Sequence, residues 1–412
     1  MMPNMLTPRL RLYSKKISYL RMAQGALNLC DSQAISHTEK LIASYTKSRH
    51  AILISMGRMA IFEGLRALKD SGEIILSPVT VPEVISLVHL AGFTPVFCDL
   101  KLGTWNMDVE LAESLITDKT VAVMTTHFYG NTNTTIAVRK LCDKHQLSMV
   151  EDAAQALGAW QGDNHAGTIG DFGMVSFSYP KNVTSFYGGC LITNNDELAS
   201  RVRNAVQDYP EVGGGWLYKK VFDCAIKDIG TFGPIFQLSS LIIRYGYKKN
   251  IRRIIELVSQ NLNPAFFEGI PKEYRTKISP QQALAIADKW AEVDEDAQHR
   301  IRCADIYFSS LKDIEGLICP EFLGDRSNTF LYFPIQVEDK YALQRYMIEH
   351  YCDVAVQHAP NCADLPAYKL YYRDCPLARA AYEGTLMLPT YRGFPLDKAR
   401  HYAQTIKNFF NG

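Results

Sequence analysis

The sequence predicts an α/β fold: a mostly parallel sheet covered by helices, followed by a smaller α+β unit. From about residue 50, short β-rich runs alternate with helical stretches, which is the pattern of strand–helix–strand units. This alternation stops near residue 207, and new strand and helix patterns begin after residue 280. The chain has 412 residues and is 47% hydrophobic, which suits two or three packed units.

The elements of the first unit follow one another regularly. We predict strands over residues 50–55, 73–77, 95–98, 121–126, 148–151, 174–178 and 189–193. Helices are predicted between them over residues 58–69, 82–91, 108–116, 134–145 and 197–206. Ligands of such sheets bind at the carboxyl ends of the strands, so we look for site residues there.

The middle of the chain interrupts this pattern. Residues 213–215, three glycines, read as a loop and are followed by apolar and then basic segments. A helix beginning at 281–293 leads into a second unit, with a strand at 330–337 and helices at 340–350 and 396–410. We therefore predict an N-terminal arm (1–40), a large domain (41–275) with an insertion near 213–260, and a small C-terminal domain (276–412).

Charge and cysteine content exclude several classes of protein. The 44 Lys and Arg nearly cancel the 43 Asp and Glu, which gives no basic excess for nucleic acid. The ten cysteines form no CxxC pair and no zinc-like cluster, so no metal is predicted. Scattered thiols without a secretory leader favour a reduced, cytoplasmic protein.

The first informative stretch is a strand that ends in two acids, Glu151 and Asp152, before small residues. An acid at the carboxyl end of a strand faces the ligand crevice of an α/β sheet. Taken alone, such an acid is about as often a helix cap or an ion-pair partner.

The second stretch is a strand that delivers Ser176 and, five residues later, Lys181. A lone lysine in a loop is usually a solvated surface charge. Here the lysine follows an apolar strand and Pro180, which favours partial burial. Desolvation lowers the pKa of a lysine and favours the neutral amine that Schiff-base chemistry needs.

The third stretch is the strand-to-helix turn that runs from Ser55 through Gly57 and Arg58 to Met59. Free N–H groups and the helix dipole make such a turn an anion site. A single glycine is weak evidence, because many turns of this kind contain one.

Together these stretches resemble the DegT/DnrJ/StrS family of sugar aminotransferases, which depend on pyridoxal phosphate. The resemblance extends from about Leu41 to Phe410. Its most specific parts are the segments 91–99, 151–159 and 176–182, and segments 127–130 and 357–361 also match. The resemblance implies pyridoxal-phosphate fold type I, with a large domain whose mixed, mostly parallel sheet is of the seven-stranded type, and a smaller α+β C-terminal domain.

The resemblance also assigns roles. Lys181 would hold the cofactor as a Schiff base and shuttle a proton, and Asp152 would keep the pyridine nitrogen protonated. Gln155 would bind the phenolic oxygen of the cofactor. The phosphate would be bound by Ser176 and by the turn that contains Gly57, Arg58 and Met59, through the backbone amides of the latter two.

Three positions depart from the family pattern. The phosphate turn has Arg58 where the family often has threonine, and Val81 stands where an aromatic residue usually stacks on the pyridine ring. Arg275 and Lys277 occupy the positions of an Asn-x-Arg pair that reaches the cofactor phosphate of the partner subunit. The resemblance thus implies a homodimer, with the positive charge of this pair retained.

The main interpretation is an aminotransferase that moves an amino group, usually from glutamate, to a nucleotide-linked keto-sugar. One alternative is a pyridoxal-phosphate sugar dehydratase. Some of these enzymes replace the Schiff-base lysine with histidine, so the presence of Lys181 argues against this alternative. Another is a scaffold or regulator that kept the fold. The intact lysine, aspartate, glutamine and serine set argues against that reading.

Residues 221–253 are apolar in the middle and basic afterwards. The uncharged run 229–243 is shorter than the roughly 20 residues needed to span a bilayer. The segment is either a core or dimer-interface helix pair with a solvated basic edge, or a contact with a membrane surface that would suit a lipid-linked or membrane-pathway substrate.

Overall fold

The computed structural model describes residues 6–11, 16–25, 33–68, 71–249, 251, 253 and 266–412. Its strands up to residue 193 are β1 (His50–Ile54), β2 (Gly72–Leu76), β3 (Phe93–Phe97), β4 (Thr120–Thr126), β5 (Ser148–Asp152), β6 (Trp160–Gln161), β7 (Asn164–His165), β8 (Phe172–Ser176) and β9 (Gly189–Thr193). Seven of them form one sheet in the order β1-β9-β8-β5-β4-β2-β3. Within it, β9 is antiparallel to both its neighbours and the other described pairings are parallel. The predicted α/β fold with a mostly parallel sheet is confirmed.

Helices follow most of these strands and cover the sheet. They are α1 (Lys16–Gly25), α2 (Ala34–Thr46), α3 (Gly57–Leu68), α4 (Pro82–Leu90), α5 (Val109–Ser114), α6 (Thr135–His145), α7 (Asp196–Gln207), α8 (Gly214–Gly230) and α9 (Gly233–Lys248). The strands β8 and β9 are buried along their whole length. Strands covered on both faces consist of near-continuous apolar residues, which explains why the sequence pattern located them.

The C-terminal part forms the predicted smaller α+β layer. Its strands are β10 (Leu317–Ile318), β11 (Phe333–Val337), β12 (Ala355–Val356) and β13 (Thr385–Leu388), and its helices are α10 (Pro280–Trp290), α11 (Val293–Leu311), α12 (Lys340–Glu349), α13 (Pro376–Gly384) and α14 (Leu396–Asn411). The strands pair antiparallel in the order β10-β11-β13-β12. The exact domain boundaries at residues 40 and 275 stay a prediction.

Local sequence sets the start of several helices. Helix α10 begins with a capping box in which Ser279 and Gln282 bond to each other's backbone, with Pro280 at the first helical position. Helix α5 begins after Asp108, whose carboxylate accepts from two backbone N–H groups of the first turn. These caps satisfy amides that would otherwise have no intrahelical partner.

The prediction of a loop at residues 213–215 is wrong, because α8 begins at Gly214. Helices α8 and α9 are separated by two residues and contact each other. Together they are here called the helical hairpin, whose inner side packs against the N-terminal arm and α12. Leu217, Cys224, Phe236 and Tyr247 are buried on that side. Among the described residues, no helix is both long and apolar enough to cross a membrane. Part of the predicted basic segment, at 250, 252 and 254–260, lies outside the described residues.

Candidate active site

A cavity of about 250 Å³ lies between the carboxyl edge of the large sheet and the second sheet. Parallel strands end at the same edge, so β5 and β8 bring their terminal side chains together there. Six of the residues predicted from the sequence line the cavity: Gly57, Arg58, Asp152, Gln155, Ser176 and Lys181.

The two acids that end β5 have different surroundings, because successive side chains of a strand point to opposite faces. Asp152 lines the cavity and accepts a hydrogen bond from the N–H of Ala154 at 3.1 Å. Glu151 is fully buried, lies 2.8 Å from His127 Nε2 and accepts from the amide of Gly170 at 2.6 Å. Burial acts to raise the pKa of Glu151, but these bonds hold it below its ordinary value. Glu151 is therefore bound by groups of the protein, and Asp152 is the acid that faces the cavity.

Asp152 is itself almost fully buried. Burial raises its pKa above the ordinary value, while the amide of Ala154 and the positive charge of Lys181 oppose the rise. A buried carboxylate is stabilised by a cationic partner close by. A protonated ring nitrogen in the cavity would be such a partner.

Lys181 is half-buried at the cavity wall, and its backbone N–H donates to the carbonyl of Ser178. Its pKa is lowered to about 8, chiefly by desolvation. The negative charge of Asp152 acts to raise this pKa, and the positive charge of Arg58 lowers it further. At that pKa about a tenth of the amine is neutral at pH 7, compared with well under a thousandth for an ordinary lysine. The site therefore favours the neutral form of the amine, which is the form that can attack a carbonyl carbon.

The first turn of α3 forms another part of the wall. Gly57 sits against β8 so closely that a Cβ there would come within 2.6 Å of Met174 Sδ. On the other side, a Cβ on Gly189 would lie 2.2 Å from the backbone nitrogen of Gly57. The two glycines let the helix N-terminus approach the strand ends, a position in which free backbone amides can bind an anion. The Ser176 hydroxyl lies beside them, 2.8 Å from that of Ser178.

Met59 does not line the cavity. Its side chain is buried in the core and its amide bonds to the carbonyl of Met56 at 3.1 Å. The amides of Gly57 and Arg58 are therefore the ones placed for an anion.

Arg58 points into the cavity and is held by two neighbours. Its guanidinium Nη1 lies 3.0 Å from Glu83 Oε1 and donates to the Tyr274 hydroxyl at 3.2 Å. The second oxygen of Glu83 is buried without a partner among the described residues. The sequence analysis identified Arg58 but not Glu83. The two residues are 25 positions apart, so no local motif reveals that they pair.

A second set of wall residues escaped the sequence analysis. The Tyr129 N–H donates to Gln155 Oε1 at 3.0 Å, which leaves the Gln155 amide nitrogen as its donor group. The Tyr129 hydroxyl donates to Gln357 Oε1, also at 3.0 Å, and so ties the large sheet to the small one. His358 lines the same wall, where burial and then the charge of Lys181 lower its pKa to about 4, so it is neutral at pH 7. Segments 127–130 and 357–361 were noted only as matches to the family.

The remaining predicted residues differ in position. Val81 lines the cavity, where its branched side chain can pack against a ring. Arg275 and Lys277 are not among the lining residues of this chain. Arg275 lies over the ring of Phe62, and the Lys277 ammonium is 3.6 Å from the carboxylate of Glu211.

A seven-stranded, mostly parallel sheet, a smaller α+β layer, and a lysine and carboxylate sharing the cavity between them define a pyridoxal-phosphate enzyme of fold type I. The model described as the DegT/DnrJ/EryC1/StrS aminotransferase family matches residues 17–227 and 241–407. The chain belongs to this family of pyridoxal-phosphate-dependent aminotransferases. The unmatched residues 228–240 contain the turn of the helical hairpin.

Individual relatives are distant. An uncharacterized protein of Methanocaldococcus jannaschii, MJ1066, is 30% identical over 252 residues, which cover 58% of this chain and 65% of that protein. A dTDP-4-amino-4,6-dideoxy-D-glucose transaminase of Shigella dysenteriae is 24% identical, covering 90% of this chain and 88% of its own. The structure of S. venezuelae DesV shares the fold with a TM-score of 0.78 at 22% identity, covering 99% of this chain and all of DesV.

The cavity fits the cofactor of the family, pyridoxal phosphate. The amine of Lys181, with its lowered pKa, fits the aldehyde of the cofactor, and the buried carboxylate of Asp152 fits a protonated ring nitrogen. The N-terminus of α3 fits the phosphate. Each of these groups lines the same enclosed space.

Proposed function

We propose that this enzyme transfers an amino group from glutamate to a keto-sugar that is linked to a nucleotide. The observation that carries the proposal is the shared cavity of Lys181 and Asp152, in which burial lowers the pKa of the lysine and raises that of the acid. Similarity to a dTDP-sugar transaminase supports the class of substrate.

In this proposal Lys181 would hold the cofactor through its aldehyde and would move the proton at the substrate carbon. Asp152 would keep the pyridine nitrogen protonated. The bound cofactor supplies an electron sink for the substrate carbon. The lowered pKa of Lys181 suits a group that must both accept and return a proton near neutral pH.

The phosphate is assigned to the amides of Gly57 and Arg58, the Ser176 hydroxyl and the Arg58 guanidinium. The nitrogen of the Gln155 side chain donates to the phenolic oxygen, since its oxygen already accepts from Tyr129. In a homodimer, Lys277 of the partner subunit completes the phosphate site.

The sugar is assigned to the part of the cavity wall formed by Tyr129, Gln357 and His358, which are neutral hydrogen-bonding groups. Such groups suit sugar hydroxyls, which carry no charge. We also assign the enzyme to the cytoplasm, because the nine described cysteines are all free thiols.

Spectroscopy tests the proposal. Purified enzyme should absorb in the visible, and glutamate should remove that band as the amino group passes to the cofactor. A panel of keto-sugar nucleotides should then restore it. The Lys181→Ala variant is the control and should lack the visible band that a lysine-linked cofactor gives.

The same measurements separate the alternatives. A dehydratase would keep its cofactor but release water from the sugar without a net amino transfer. A scaffold or regulator would show no change with glutamate. Either result would overturn the proposal.

A further inference from the structure

The helical hairpin, Gly214–Lys248, carries a row of exposed apolar side chains that packing among the described residues does not explain. On α8 the exposed residues are Tyr218, Phe222, Ile226 and Ile229. They are spaced four, four and three residues apart, so they share one face of the helix. That face is separate from the buried side of α8, which holds Leu217 and Cys224.

Helix α9 repeats the pattern. Its exposed apolar residues recur at spacings of three and four and are Ile235, Leu238, Leu241, Ile242 and Tyr245. Phe232, between the two helices, is exposed as well. Contiguous apolar surface on this scale marks a contact with another apolar phase or molecule.

Positive charge is concentrated on the hairpin. It has five Lys and Arg against two Asp, a net charge of +3, whereas the whole chain has a net charge of +1. At the end of α9, an open groove is lined by Leu241, Arg244, Tyr245, Lys248 and Glu349, so apolar and cationic side chains stand next to each other. Lys248 and Lys249 are both exposed.

The hairpin is fastened to the rest of the molecule. Asp228 accepts from the Tyr19 hydroxyl at 2.6 Å, the Gln237 side chain donates to a carbonyl of the N-terminal arm, and Arg244 donates to the carbonyl of Glu349. The apolar face is therefore presented in a fixed orientation. Four of the exposed apolar residues, Ile229, Phe232, Ile235 and Leu238, lie in the segment 228–240 that the family pattern leaves unmatched.

We propose that the exposed face of the hairpin docks on an anionic phospholipid surface, with both helices lying in the interface. Helices of 17 and 16 residues are too short to span a bilayer but suit a position along its surface. The apolar rows enter the acyl boundary, and the surrounding lysines meet the phosphates of the lipids.

A second copy of the chain fits this surface less well. Lysine is depleted at protein–protein interfaces, whereas it is enriched on helices that lie on membranes. A two-fold contact through the hairpin would also place a net charge of +3 opposite another +3. The charge pattern therefore favours the anionic lipid.

Vesicle co-sedimentation of the holoenzyme tests the proposal. Wild type should sediment with vesicles of phosphatidylcholine and phosphatidylserine, less with phosphatidylcholine alone, and less again at high salt. Phe222→Asp combined with Leu238→Asp should abolish the binding, since these side chains are 64% and 70% exposed. Lys248→Gln and Lys249→Gln should each weaken binding about fivefold.

A matched control places the same two charges elsewhere. Leu102→Asp combined with Leu370→Asp alters residues that are 72% and 84% exposed and should leave vesicle binding unchanged. The visible cofactor band confirms that each variant is folded. The idea is overturned if wild type ignores anionic vesicles, if the hairpin variant still binds, or if the hairpin variant instead changes the oligomeric mass. None of these readouts depends on the identity of the substrate.

Discussion

At the scale of single residues, the pKa of Lys181 depends on its burial and on two charges of opposite sign. Burial lowers the pKa to about 8, Asp152 acts to raise it and Arg58 to lower it further. Attachment of the cofactor needs the neutral amine. In cofactor-free enzyme, the rate of attachment should therefore rise with pH and level off above about pH 8. Arg58→Gln should move this midpoint upward and Asp152→Asn should move it downward.

The measurement is the growth of the visible band after mixing with cofactor over a range of pH. Arg58 is also assigned to the cofactor phosphate, so its replacement should slow attachment at every pH. The variants are therefore compared by the pH midpoint and not by the rate. Pyridoxal, which lacks the phosphate, serves as the control ligand and should give the same order of midpoints. Shifts in the same direction for both variants would show that the two charges do not act on Lys181 as described.

A second prediction at this scale separates the two acids that end β5. Asp152→Asn should keep the fold and lower turnover by about a hundredfold to a thousandfold, because a neutral amide cannot hold the ring nitrogen protonated. Glu151→Gln should instead lower the melting temperature, because Glu151 accepts from His127 and buried backbone amides. Near wild-type half-transamination rates in Asp152→Asn would contradict its assigned role.

The sequence could reveal the residues that stand in local motifs, but not those that meet only in the folded chain. Asp152 ends an apolar strand and Lys181 follows one, so the sequence around each residue predicts its position at the carboxyl edge of the sheet. Tyr129 and Gln357 are 228 positions apart, and no local pattern connects them. The partnership of Arg58 with Glu83 likewise depends on how α3 and α4 pack.

At the scale of elements, most strands lie within about two residues of their predicted positions, because buried strands form distinct apolar runs. The strand predicted at 330–337 begins only at Phe333. Its first residues are equally apolar, but the Leu331 amide bonds to the carbonyl of Tyr129 at 2.7 Å and its side chain lines the cavity. Backbone groups used in that contact cannot join the sheet ladder.

The error at residues 213–215 has a different cause. Glycine has low intrinsic helix propensity, and three in a row predict a loop. In the structure, the residues that follow supply the packing: Trp216 meets the ring of Tyr187 edge-on, and Leu217 is buried. Tertiary contacts therefore extend α8 back to Gly214 despite the weak propensity.

The contact between β9 and the first turn of α3 supports a prediction of its own. Gly189→Ala should push the turn away, because the new Cβ would lie 2.2 Å from the Gly57 nitrogen and 2.5 Å from its Cα. We expect a loss of about 1–3 kcal/mol in the free energy of unfolding and a weaker hold on the cofactor. Thermal melting and cofactor titration measure the two effects.

The control for Gly189 is Gly215→Ala, which introduces the same methyl group at an exposed site in α8 where nothing lies within 4 Å. It should leave cofactor affinity unchanged and stabilise the helix by up to about 1 kcal/mol. Unchanged cofactor affinity in Gly189→Ala would argue that this turn does not hold the phosphate.

At the scale of the whole molecule, the cavity exists only because two sheets meet. The bond from Tyr129 to Gln357 and the amide of Leu331 join the large sheet to the small one at the cavity wall. Lys181 and Asp152 come from the first sheet, whereas His358 comes from the second. Relative movement of the two layers would therefore change the proposed sugar site more than the proposed cofactor site.

The prediction of a homodimer rests on Lys277, a cation that does not line the cavity of its own chain. Lys277 does not line the cavity, and its ammonium lies 3.6 Å from the carboxylate of Glu211. A contact that loose between partly exposed groups is worth little, so the lysine can turn to another anion at small cost. We expect it to reach the cofactor phosphate of the partner subunit, in a dimer seen by sedimentation.

Mixed dimers test whether Lys277 acts across the subunit boundary. Lys181→Ala and Lys277→Ala should each have low activity alone. When the two variants are mixed and allowed to exchange subunits, half of the sites in each mixed dimer regain both lysines, one from each chain, and activity should rise. Lys272→Ala, an exposed lysine of the same segment, is the control and should be active alone. If Lys277 acts within its own chain, no site regains both groups, and mixing leaves activity at the level of the parent variants.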